Sequence, residues 1–105
     1  MGKPDTRRLD KAIQQNERKL AAVQNREMWP LDGRERRAVL RAVVSGTRSL
    51  HKGNGTRRAD RQMDTAWHSA ETRLITEITA LKTERQRIVN EAATAKAAKK
   101  SSGWW

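Results

Sequence analysis

The chain has 105 residues, 23 Lys and Arg against 12 Asp and Glu, a formal net charge of +11, and no Cys, Tyr or Phe. Only 16 residues are Leu, Ile or Val, the thin aliphatic content of chains that fold with difficulty on their own. One small domain fits this length; the lack of cysteine excludes a disulfide scaffold and a thiolate zinc site, and no apolar run is long enough for a transmembrane span or a signal-peptide core.

Residues 1–4 read as a loose lead-in. Asp5 or Thr6 can cap a first helix over about 5–28, because a short side-chain oxygen accepts from the free N–H groups of the first turn. Leu9, Ile13, Leu20 and Val23 recur on one face of it, with Asn16 in the gap. Trp29-Pro30 is expected to end the helix, since the residue before a proline is pushed out of the helical region, and Trp29 to pack at that turn.

Asp32 can cap a second helix over about 33–45. Val39, Leu40, Val43 and Val44 form its expected apolar face, and Gly46 is placed to end it through a left-handed residue. Residues 46–56 contain three glycines and one large apolar side chain, Leu50. They read as a mobile basic loop.

The third helix is expected to be the longest, over about 58–98. Trp67, Leu74, Leu81, Ile88 and Ala95 keep a period of seven, and Ile78, Arg85 and Ala92 follow members of that series by four. A helix of this length is too long for a compact chain of this size, so it must project, pair or fray. Residues 99–105 form a basic tail ending in Trp104 and Trp105. The whole predicts an all-α fold: a helical hairpin or small bundle, one domain over 5–98, with a coiled-coil-like C-terminal helix.

The charge is uneven. Residues 29–62 carry nine basic and three acidic groups, whereas 63–95 carry four and five. The basic block comprises Arg34, Arg37 and Arg41 on one face of the second helix, Arg48, His51 and Lys52 on the glycine-rich loop, and Arg57, Arg58 and Arg61 opening the third helix. Arginine forks onto phosphate oxygens, and nearby glycines let the main chain approach them. The block therefore points to a nucleic-acid backbone, DNA or RNA, gripped without direct base readout. A solvated basic face is the plainer alternative. A helix-turn-helix is disfavoured because Gly53 and Gly55 leave no room for a recognition helix.

Other signals are weaker. Asp64, His68 and Glu71 share a face, but nothing completes a metal site, and an exposed Asp–His pair is the expected arrangement. Residues 52–56 lack the spacing of a phosphate loop. No paired nucleophile and base appears, so neither catalysis nor a cofactor is expected. A rival reading is a helical adaptor or assembly component of a phage, mobile element or larger complex. It would dock through Leu74, Ile78, Leu81 and Ile88, with Trp104 and Trp105 as anchors. Self-association or a protein partner is expected in either case, in the cytoplasm or within a virion. Membrane attachment through the basic tail and the tryptophans is a third, less favoured reading.

Overall fold

A computed structural model describes residues 4–102, with side chains for 4–100. Three helices follow in order, α1 (Arg7–Gln24), α2 (Gly33–His51) and α3 (Arg57–Ser102). The molecule is a rod of 84 × 18 × 18 Å with a radius of gyration of 22.1 Å, far above the roughly 13 Å of a compact domain this size. α3 is the spine. α1 and α2 each pack on it and not on one another, and both run antiparallel to it. Asp10 meets Arg85 and Arg26 meets Asp64 along α1, whereas Glu35 meets Arg73 and Gly46 meets Ala59 along α2. No helix among the described residues is long and apolar enough to cross a membrane.

The stripe of α1 does what its spacing predicts. Ile13 and Val23 are buried, and Leu9, Asn16 and Leu20 are half-buried. Asn16 Nδ2 donates to Glu77 Oε2 at 3.4 Å, which explains a polar residue in the apolar series. The helix stops at Gln24, short of the Trp29-Pro30 stop. Arg26 takes a left-handed φ of 59°, its N–H donates to Val23 O, and Glu27 N–H donates to Ala22 O. This pair of bonds closes the C-terminal turn in the Schellman manner. A left-handed arginine is strained. α3 holds it there, through a 2.8 Å ion pair with Asp64 and a guanidinium 5.9 Å from the centre of the Trp67 ring. Trp29 is 56 % exposed, and Pro30 and Leu31 are buried in its stead.

α2 begins where Asp32 predicts, with a reciprocal cap: Glu35 N–H donates to Asp32 Oδ1 at 2.8 Å and Asp32 N–H to Glu35 Oε1 at 3.1 Å. It ends six residues later than expected. Gly53, at φ 76°, closes it, with Gly53 N–H on Leu50 O and Asn54 N–H on Ser49 O. Gly46 instead lies mid-helix at the crossing with α3, where a Cβ would stand 3.4 Å from Ala59 Cβ. The irregular segment shrinks to 52–56. The apolar face is corrected too. Val39 and Ala42 are buried with Gly46 half-buried beside them, while Leu40, Val43 and Val44 are each about half exposed and Leu50 more so. Small residues let the two backbones approach closely, so this helix meets α3 through its slimmest face rather than its greasiest.

One core forms where both shorter helices overlap α3: Val23, Leu31, Val39, Ala66, Trp67, Ala70 and Leu74, with Leu20, Met28, Ala38 and Met63 against it. Trp67 is 6 % exposed and Leu74 fully buried, as the period of seven predicts. Past Ala92, residues 93–100 of α3 are exposed on every face. The long helix resolves its excess length by projecting.

Candidate nucleic-acid interface

The extension of α2 moves Arg48 and His51 from a loop onto the helix. At about 100° per residue, Arg34, Arg37, Arg41 and Arg48 then fall within about 60° of arc along one flank. Arg34 and Arg41 line a cleft of about 710 Å³ between α2 and α3, whose α3 wall carries Arg58 and Arg61. Arg41 also borders a second concave surface of about 630 Å³ with Arg37, Arg48 and Lys52, and the exposed side chains of Leu40 and Val44 line the same surface. Seven of the eight predicted phosphate-binding residues thus come together on two adjoining surfaces. Arg57, at the start of α3, borders neither.

All eight side chains are exposed, and among the described residues none has an ion-pair partner. Arg37 alone has an internal bond, from Nε to its own helix at Gly33 O, 3.2 Å. Arg8, Lys11, Arg18 and Arg36 are likewise exposed and without an ion pair among the described residues, but several other cations are paired. Arg85 binds Asp10 at 2.6 Å and Lys82 binds Glu17 at 3.6 Å across the α1–α3 interface, and Arg87 pairs with Glu84 and Glu91 along α3. The Arg85 guanidinium, helped by the Thr6 hydroxyl, holds the Asp10 carboxyl below its ordinary range, and Arg87 does the same to Glu84.

The cleft ends at an ion-pair network that the sequence reading missed. Glu35, 8 % exposed, takes two bonds from Arg73, Nε to Oε2 at 2.6 Å and Nη2 to Oε1 at 2.9 Å. Arg73 also donates to Glu77 at 3.1 Å and to Pro30 O at 3.3 Å. These bonds raise the pKa of Arg73, with Glu35 the largest cause. Through Asn16 and Glu77 the chain of contacts ties all three helices. The one signal in the sequence was the Asp32-x-x-Glu35 cap; its link to Arg73, 38 residues away, left no local trace.

Other expected sites fare differently. Leu74 and Ile78 are buried within the chain and offer no surface to a partner, while Leu81 and Ile88 are half-buried. The adaptor seam is therefore closed from within over its first half. Trp104 and Trp105 lie outside the described residues. Asp64 pairs with Arg26, not with His68, and no group of three His, Asp or Glu able to hold a metal occurs among the described residues. α2 and α3 form an antiparallel hairpin, unlike the crossed helices of a helix-turn-helix. Comparison with family models, curated sequences and solved structures finds no match, so function must be argued from these residues.

Proposed function

We propose that the protein binds nucleic acid by its phosphate backbone, through Arg34, Arg37, Arg41, Arg48, Lys52, Arg58 and Arg61, with Arg57 at the margin. The observation that carries this reading is the gathering of unpaired arginines on two adjoining concave surfaces. Arg26, Arg73, Arg85 and Arg87 find carboxylates, whereas Arg34, Arg41, Arg58 and Arg61 gather around one cleft between α2 and α3 and none of them has an ion-pair partner among the described residues. Converging guanidinium groups repel each other, and a polyanion is the partner that relieves this. Asp32 and Glu35 at the cleft's end are already engaged by the cap and by Arg73. Both walls are helical and no aromatic side chain lines either surface, so stacking on single-stranded bases has no platform here. Backbone contact with a duplex suits the site better.

The test is a salt series with duplex DNA and duplex RNA. With about five phosphates contacted, log K should fall against log [salt] with a slope of about −4 to −5. A flat dependence would overturn the reading.

A further inference from the structure

α2 packs on α3 alone, which leaves the side of α2 turned away from α3 free along its whole length. At about 100° per residue, Val39, Ala42 and Gly46 point toward α3, and Leu40, Val44, Arg37 and Arg48 spread over the opposite side. Leu40 and Val44, 50 % and 54 % exposed, line the same concave surface as Arg37, Arg41 and Arg48. In angular order, Arg36 stands on one side of this apolar pair, and Arg37, Arg48 and Arg41 stand on the other. Arg36 is exposed and has no ion pair among the described residues. The Thr47 hydroxyl, next to Leu40, is turned back onto Val43 O at 3.0 Å. The free side of α2 is therefore an apolar crest bordered by cations, on a helix of 19 residues.

We infer that this side of α2 seats in the major groove of B-form DNA, with Leu40 and Val44 against thymine methyl groups on the groove floor. The inference rests on the proposed nucleic-acid reading and deepens it, from a grip on any duplex backbone to one groove of one duplex form. Shape favours it. A helix with its side chains is about 10–12 Å across, and the B-form major groove is about 12 Å wide and about 8.5 Å deep, whereas that of A-form RNA is too deep and narrow for side chains to read. α3 lies directly behind α2 and α1 does not touch α2, so nothing in the fold blocks entry to that depth. Charge favours it as well. A groove floor is bordered by two rows of phosphates. Arg34 and Arg41, with Arg58 and Arg61 on α3, lie toward one row, and Arg36 lies toward the other. The thymine methyl is the apolar group that DNA presents between those rows. A second copy of the chain would meet the crest with more positive charge, and a plain apolar partner would leave Arg37 and Arg48 unanswered.

The experiment compares three duplexes of one A·T-rich sequence, by fluorescence anisotropy across a salt series: DNA, the same DNA with uracil in place of every thymine, and RNA. Uracil lacks only the methyl group, so charge, pairing and B form are kept. The wild type should bind thymine DNA about tenfold more tightly than RNA. It should lose about fourfold on uracil DNA, the worth of one buried methyl, with the same salt slope on both DNAs. Leu40→Ala with Val44→Ala alters two exposed positions and leaves the charge unchanged. With helicity preserved, this variant should bind thymine and uracil DNA alike and keep the wild-type salt slope. Steep salt dependence with the two DNAs bound equally by the wild type, or with RNA bound as tightly as DNA, would overturn the groove assignment and leave the backbone reading standing. A thymine preference undiminished in the variant would overturn it too. No salt-dependent binding to any of the three would remove both readings.

Discussion

The two halves of the rod use the same spine in opposite ways. Along the α1–α3 half, an aliphatic stripe meets the period-of-seven series, and charges flanking it pair across the interface, Asp10 with Arg85 and Glu17 with Lys82. Along the α2–α3 half, small residues make the contact, Gly46 near Ala59 and Ala42 in the core, while aliphatic and guanidinium groups point outward. The first half pairs the charges that flank its seam, while Arg8, Lys11 and Arg18 on the outer side of α1 stay exposed and unpaired. The second leaves its cleft arginines unpaired and much of its apolar surface exposed, and under the proposed function that difference separates scaffold from interface.

The joint between the halves is where a single change should matter most. Arg73→Ala would leave the buried Glu35 carboxylate without its two guanidinium bonds. A loss of about 2–3 kcal/mol in urea unfolding is expected. A change near zero would mean that the halves are joined by the apolar core alone.

Gly46 sharpens the comparison from the other side. Gly46→Leu should force α2 away from Ala59 and destabilise by about 1–3 kcal/mol. Gly46→Ala adds a methyl at ordinary contact distance and should stabilise by up to about 1 kcal/mol through helix propensity. Hydrogen exchange should show the leucine variant loosening α2 while α1 keeps its protection. Equal loosening of both helices would contradict the division into halves.

The smallest expected effect is one of pH. The Asp10 carboxyl is held below its ordinary range in the folded chain, so its contribution is present above the unfolded value, about pH 4, and is lost as pH falls through the lowered folded value. The first turns of α1 should lose exchange protection on acidification before α2 does, and Asp10→Asn should reduce that pH dependence, the remainder coming from Asp5, whose carboxyl the Arg7 N–H and guanidinium also hold low. α2 yielding first, or an unaltered profile in the variant, would contradict it.

How much of this was legible in the sequence follows the same division. The α1 stripe and the Trp67–Ile88 series could be read because large side chains at helical spacing leave few ways to pack. α2 was harder for a physical reason. Val39-Leu40 and Val43-Val44 offer two overlapping faces, and the choice fell to Gly46, Ala42 and Ala59, whose small size permits close approach. Gly46 read as a stop because glycine serves both for left-handed turns and for tight crossings; Gly53, seven residues on, makes the turn. The arginines were visible by composition, but their lack of acidic partners is a property of three dimensions. Glu35 and Arg73 were invisible as a pair for the same reason.

The central claim is that the unpaired cations around the α2–α3 cleft serve a polyanion and the paired cations of the α1–α3 interface, Lys82 and Arg85, serve the fold. The salt dependence of duplex binding tests it directly when two charge-removing variants are compared, Arg34, Arg41, Arg58 and Arg61 to Gln in one and Lys82 and Arg85 to Gln in the other. The first should make the slope of log K against log [salt] shallower by about 3–4, and the second should leave the slope unchanged. An unaltered slope in the first variant, or a loss per residue in the second equal to that in the first, would contradict the account.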